Sequence, residues 1–159
     1  MFKWIAGMFL SLAMLQPALA DERAKLIGIW KLVSWELEFQ DTGERRAVYG
    51  AHPTGYLILT GEGRMMAVVE GEGRKRPQTE AERASAFQTM IAYSGTYRVE
   101  GDRWITKVDA TWNPAWRGID QARFFKVEGD RLSVISIWQP QVNLGGKVGR
   151  GILSWERWK

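Results

Sequence analysis

Two stretches of the chain show the same alternation of hydrophobic and polar residues around the phrase Val-Glu-Gly-Asp-Arg. The phrase occurs at residues 99–103 and again at residues 127–131. In each copy Gly-Asp separates two alternating runs, which is typical of a tight two-residue β-hairpin turn, because glycine accepts the positive φ that such turns need. The pattern therefore predicts two similar β-hairpins in the second half of the chain.

Each turn also predicts which residues face one another, since it pairs its Glu with its Arg. In the first hairpin the inward pairs are Val99 with Trp104, Tyr97 with Thr106, Gly95 with Val108 and Tyr93 with Ala110. In the second they are Val127 with Leu132, Phe125 with Val134, Arg123 with Ser136 and Gln121 with Trp138. Successive residues of a strand point to opposite faces. The Glu–Arg pairs are therefore expected in solvent and the other pairs on the buried face.

The remaining pattern adds further strands and one short helix. A first strand over residues 30–39 changes its hydrophobic face midway, which indicates a β-bulge or strong coiling. Shorter strands are expected at residues 45–49, 56–60, 65–70 and 150–158. A helix is expected to begin at Gln78 or Thr79 and to run to about Ala92, with Ala84, Phe87 and Ile91 at helical spacing. We expect an all-β fold, an antiparallel up-and-down barrel of about eight to nine strands with one short helix.

The first twenty residues have the form of a secretory signal peptide. A lysine is followed by an apolar run and a small-x-small end at residues 18–20. The alternative is a membrane anchor, but the apolar run over residues 4–15 is short for a membrane span. We expect residues 1–20 to be removed, residues 21–159 to form one domain, and the mature protein to be periplasmic or secreted, without a stable membrane span.

Composition narrows the class of partner. The chain of 159 residues has a formal net charge of +4, and its dense basic run is confined to residues 74–76, which does not resemble a nucleic-acid footprint. It contains no cysteine, so an oxidising compartment adds no disulfide. The sole histidine, His52, has no companion ligands, so no metal and no cofactor are expected. The sequence leaves the oligomeric state open.

Four short motifs, in this order, resemble the bacterial lipocalin-like domain proteins. They are Gly28-x-Trp30, the segment Pro-Thr-Gly-Tyr at residues 53–56, the segment Tyr-Ser-Gly-Thr-Tyr at residues 93–97, and the loop Asp-Ala-Thr-Trp-Asn-Pro-Ala-Trp at residues 109–116. The resemblance covers nearly all of residues 21–159 and implies a lipocalin-type barrel. It further implies that Trp30 packs at the closed end of the barrel under an arginine of the last strand, Arg157 or Arg150.

Arg123 is the most informative candidate for a binding site. Its register places it on the buried face beside Phe125 and Val127, and a buried charge is costly unless it is paired or solvated. Two interpretations stay open: Arg123 orients a ligand in a polar pocket, or it reaches the rim or pairs with a carboxylate. Gln121, Ser136 and Trp138 are candidate ligand-binding neighbours on the same face.

Further candidates come from the first hairpin and the loop that follows it. Tyr93 and Tyr97 point the same way as Trp104, and their hydroxyls either bind a ligand or are satisfied within the core. Trp112 and Trp116, in the loop, either form a contact site or plug the barrel. Asp109 is expected to pair with Ser94 on the outer face, so we do not expect it to be a catalytic acid inside the barrel unless the loop bends it inward.

Three hypotheses about function follow. The first is binding of a small, mostly apolar or amphipathic ligand in the barrel. The second is an enzyme of the cyclase or isomerase type that uses the same cavity. The third is a filled barrel that acts through its loops. A cavity with one orienting charge favours the first, two titratable groups with displaced pKa values favour the second, and the absence of a cavity favours the third.

Overall fold

The computed structural model describes residues 22–141 and 145–159. The predicted signal peptide, residues 1–20, lies outside the described part of the chain. Residues 22–26 form helix α1, and Glu80–Gln88 form helix α2. The strands are β1 Gly28–Phe39, β2 Arg45–Arg46, β3 Thr54–Leu59, β4 Arg64–Glu70, β5 Met90–Glu100, β6 Arg103–Thr111, β7 Asp120–Glu128, β8 Arg131–Ser136, β9 Gln139–Pro140 and β10 Val148–Arg157.

Eight of these strands close into an antiparallel barrel. The order is β1-β3-β4-β5-β6-β7-β8-β10, and β10 pairs again with β1. The two-residue strands β2 and β9 are additions to β1 and β10. Closure satisfies the backbone hydrogen bonds of the edge strands. The expected up-and-down barrel with a short helix is confirmed.

The change of hydrophobic face in β1 has the predicted cause. The pairing of β1 with β10 shifts between Leu32 and Ser34, so Val33 is an extra residue in a β-bulge. A one-residue insertion reverses which side chains point inward. Leu32 before the bulge and Leu37 after it are consequently both buried.

Both hairpin turns form as predicted, with φ of 61° at Gly101 and 60° at Gly129. The second hairpin pairs Val127 with Leu132 and Arg123 with Ser136, as expected. However, β8 ends at Ser136, so the predicted pair of Gln121 with Trp138 does not form. Gln121 instead faces Thr106 of β6.

The first hairpin follows the predicted register only as far as Gly95 and Val108. Beyond this pair Asp109 bulges, Ser94 pairs with Ala110, and Tyr93 pairs with Thr111 rather than Ala110. The two backbones approach so closely here that a Cβ atom on Gly95 would lie 2.1 Å from the carbonyl oxygen of Lys107. Glycine is required at this position by the close approach and not by its φ.

Helix α2 is shorter than the sequence pattern predicts. Thr79 caps it: the Glu82 backbone N–H donates to Thr79 Oγ1 at 3.2 Å, and the Glu82 carboxylate accepts from the Thr79 backbone N–H at 3.0 Å. The expected end near Ala92 is wrong, because residues 90–92 pair with β4 and belong to β5. Ile91 therefore lies in a strand paired with β4 and lines the cavity.

One end of the barrel is closed by Trp30 and Arg157. Trp30 is fully buried, and the Arg157 guanidinium carbon lies 4.1 Å from the centroid of its ring. Arg157 also donates to the carbonyl oxygens of Ile27 at 2.9 Å and Lys25 at 2.8 Å, which ties β10 to the start of β1. Gly28, with φ of 142°, leaves room for the guanidinium, since a Cβ there would lie 2.7 Å from it.

Candidate functional site

A cavity of about 540 Å³ lies inside the barrel. Every one of the eight closing strands contributes inward side chains to its wall. The aliphatic part of the wall consists of Leu37, Val48, Leu57, Ala67, Val69, Ile91, Val134 and Leu153. The barrel is therefore hollow, with a volume in the range of roughly 300–1,000 Å³ that is usual for small-molecule sites.

Aromatic rings make up much of the rest of the wall. The rings of Trp35 and Tyr49 are stacked with centroids 4.2 Å apart and planes 13° from parallel. Trp104 and Trp155 line the cavity from β6 and β10. The indole N–H groups of Trp35, Trp104 and Trp155 are enclosed and have no acceptor among the described residues. These three rings accordingly supply apolar surface rather than hydrogen bonds.

Tyr49, one of the two stacked rings, carries a phenol hydroxyl. Burial raises its pKa to about 12, while Arg74 acts in the opposite direction. Its hydroxyl contacts the Gln88 carbonyl oxygen at 3.5 Å. A phenol with this pKa stays neutral at physiological pH, so it can exchange hydrogen bonds but supplies no charge.

The loop after β6 and the end of α2 cover the cavity opposite the Trp30 end. The loop contains a 3-10 turn, Pro114–Trp116. The indole N–H of Trp112 donates to the Phe87 carbonyl oxygen at 3.3 Å, and the Trp112 and Trp116 rings meet edge to face at 4.9 Å. Trp116 also meets Tyr93 edge to face at 5.5 Å. The two loop tryptophans thus cover one end of the cavity.

Arg123 is the one charged residue in the wall among the described residues. It is 8 % exposed. Its Nη1 donates to Gln121 Oε1 at 3.0 Å and to the Ala122 carbonyl oxygen at 2.8 Å. Its guanidinium carbon lies 6.0 Å from the Trp116 ring centroid. No carboxylate of the described residues forms an ion pair with it, so the alternative of an internal salt bridge does not hold there.

The structure brings six of the nine predicted site residues to the cavity: Tyr93, Trp104, Trp112, Trp116, Arg123 and Ser136. Tyr97 is buried near the closed end, where its hydroxyl donates to the Thr60 carbonyl oxygen at 2.9 Å. Gln121 is buried and holds Arg123 without lining the cavity. Trp138 lies outside the cavity, with the Arg150 guanidinium carbon 4.4 Å from its ring centroid.

Some wall residues were not singled out from the sequence. Trp35 could have been found, because a bulge at residue 33 turns it inward on the same strand as Leu37. Tyr49 and Phe87 gave no such signal. They lie outside the long strands and reach the cavity only when the barrel has formed.

The remaining candidates lie away from the cavity. Asp109 is on the outer surface, where it accepts from Arg64 and from the Ser94 hydroxyl at 3.0 Å. The hydrogen bond from Arg64 holds the pKa of the Asp109 carboxyl below its usual value. His52 is exposed, and the described residues contain no cluster of three His, Cys, Asp or Glu side chains that could hold a metal ion.

Neither helix of the described chain combines the length and the apolar character needed to cross a membrane.

No curated protein matches the sequence. Residues 27–158 match the lipocalin-like domain family, and this span includes all ten strands, the closing Trp30–Arg157 contact and the cavity wall. The family's barrel is the fold observed. The chain belongs to the lipocalin-like domain family.

Proposed function

We propose that this protein binds a small, mostly apolar ligand in the barrel cavity. The observation that carries the proposal is the cavity of about 540 Å³ with a mostly aliphatic and aromatic wall. Transfer of apolar ligand surface from water to this wall supplies the driving force, and the few polar side chains orient the ligand. The family match agrees with small-molecule binding at this coarse level.

The distribution of titratable groups favours a binder over a cyclase or isomerase. Proton-transfer catalysis needs an acid or base whose pKa lies near the working pH. Among the described wall residues there is no Asp, Glu, His, Cys or Lys, and Tyr49 is held neutral by its raised pKa. The wall thus offers one orienting charge, Arg123, which is the arrangement expected of a binding site.

We also propose that the protein works outside the cytoplasm. The support is the signal-like pattern of residues 1–20. A periplasmic or secreted location would expose the protein to small amphipathic molecules that reach the cell from outside.

Ligand binding is tested with a substitution that fills the cavity. Ala67 is buried in the wall, whereas Ala110 is exposed on the outer face of β6. The neutral probe N-phenyl-1-naphthylamine should bind the wild type saturably, with one site and a rise in fluorescence. Ala67→Phe should weaken binding roughly ten-fold or more, a loss of about 1.4 kcal/mol or more in binding free energy, because the added ring occupies volume that the probe needs.

Ala110→Phe is the matched control and should bind like the wild type. Probe fluorescence that does not saturate in the wild type, or equal affinities of the two Phe variants, would contradict a ligand site inside the barrel.

A further inference from the structure

We propose that the ligand of this cavity is a planar, ring-containing organic acid whose carboxylate pairs with Arg123. The inference rests on the proposed binding function and names the chemical class of the ligand. It has two parts, an anionic group and a flat ring system, and each part rests on different residues of the wall.

The anionic group follows from the donors that Arg123 leaves free. A guanidinium has five N–H donors, and in Arg123 only Nη1 has acceptors among the described residues. Nε and Nη2 donate to no described protein atom, and they are not among the enclosed atoms without a partner. Both nitrogens therefore keep some accessible surface, and Arg123 lines the cavity. We infer that this edge of the guanidinium faces whatever fills the cavity.

A carboxylate is the group that matches this edge. Two parallel N–H groups donate to the two oxygens of a carboxylate in a bidentate pair, which is stronger than a neutral hydrogen bond. Gln121 Oε1 accepts a hydrogen bond from Nη1, and Gln121 is itself only 5 % exposed, so the guanidinium is held in position before a ligand arrives. A cationic ligand would meet repulsion and, among the described wall residues, no acid.

The flat ring system follows from the shape of the wall around the charge. Trp104 is the cross-strand partner of Arg123. The Trp116 ring lies over the Arg123 guanidinium, and the Tyr93 and Trp116 rings meet edge to face. Trp35 and Tyr49 present a second pair of rings to the same cavity. Aromatic faces gain stacking energy with another π system in addition to buried area, whereas a saturated chain gains area alone.

The experiment compares three ligands by displacement of N-phenyl-1-naphthylamine at pH 7.4. They are pyrene-1-carboxylic acid, its uncharged analogue pyrene-1-methanol, and hexadecanoic acid. The wild type should bind the pyrene acid about ten-fold or more tightly than the alcohol, as expected for hydrogen bonds to a charged group. It should also bind the pyrene acid more tightly than hexadecanoate.

Arg123→Met should abolish the preference for the acid and leave the affinity for the alcohol within about two-fold, since the alcohol gains little from the charge. Arg123→Lys keeps the charge without the fork and should show an intermediate preference. Arg131→Met is the matched control, because Arg131 is exposed at a turn of the barrel, and it should keep the full preference.

Equal affinities of the wild type for the pyrene acid and the alcohol would disprove recognition of a carboxylate, whether or not any variant folds. The same preference in Arg123→Met and Arg131→Met would also overturn it. If hexadecanoate binds as tightly as the pyrene acid, the preference for a planar ring system is disproved. Absence of binding of N-phenyl-1-naphthylamine itself would instead reject the proposed function.

Discussion

Arg123 and Arg157 show how one residue type serves opposite ends of this barrel. Both Nη nitrogens of Arg157 donate to backbone carbonyl oxygens, and its guanidinium lies over Trp30. Arg123 is anchored by Gln121 and Ala122 through one nitrogen and leaves the rest of its fork to the cavity. The first arrangement closes the fold, and the second is suited to recognising a ligand.

Replacement of Arg157 by Met should therefore reduce stability more than binding. The variant loses the cation–π contact with Trp30 and two charge-assisted hydrogen bonds, so we expect a loss of about 1–3 kcal/mol in the free energy of unfolding. Urea denaturation followed by tryptophan fluorescence measures this change. Arg131→Met, at an exposed position, is the control; equal unfolding midpoints in the two variants would show that the closing contact is not stabilising.

Some elements of the barrel follow from local sequence features, whereas others depend on contacts between distant strands. The turns at Gly101 and Gly129 predicted the hairpins correctly, since the positive φ is a property of the turn itself. The bulge at Asp109 was missed, because it depends on two backbones that approach at Gly95. The end of α2 was also misplaced, because pairing with β4 draws residues 90–92 into a strand.

These two kinds of glycine should respond differently to substitution. No atom lies within 4 Å of a Cβ placed on Gly101 or Gly129, so Val at either should cost about 1–2 kcal/mol through turn strain alone. Gly95→Ala should cost more, because its Cβ would lie 2.1 Å from a backbone oxygen that cannot move without breaking the pairing of β5 and β6.

Urea denaturation of the three variants provides the comparison. Gly61→Val is the control: Gly61 lies in a turn without positive φ, and its Cβ would meet only Ile27 Cδ1 at 3.8 Å. A Gly95→Ala variant that unfolds at the wild-type midpoint would disprove the close approach of the two strands. Wild-type midpoints for both Val variants would disprove the turn assignment.

At the scale of the whole molecule, closure and hollowness are separate properties. Closure follows from pairing β10 with β1 at one seam. Hollowness follows from the side chains that eight strands direct inward, which fill the end around Trp30 and leave about 540 Å³ at the other. A binding site of this kind requires that the domain be complete, so we expect residues 21–159 to act as one unit.

The expected export of this unit is tested on the protein expressed in a Gram-negative host. Cleavage after Ala20 should yield a protein that begins at Asp21 and is recovered with the periplasm or the medium. Intact-mass spectrometry of the purified protein identifies the first residue. A variant with Leu10→Arg in the apolar run should remain uncleaved in the cytoplasm; recovery of full-length wild type from the membrane fraction would instead support an anchor.

The sequence by itself determined the barrel and the inward direction of Arg123. Turn glycines and the alternation of hydrophobic and polar residues act over a few residues. Once a turn fixes one cross-strand pair, the two-residue period of a strand fixes which face every other residue occupies. The pair Glu128–Arg131 on the outer face therefore places Arg123, five residues before Glu128, on the inner face. Only the tertiary structure decided that the barrel is hollow, that Arg123 has no acidic partner among the described residues, and that Trp35 and Tyr49 reach the same space. These properties depend on the volumes and positions of side chains from all eight strands and the loops, which no local pattern encodes.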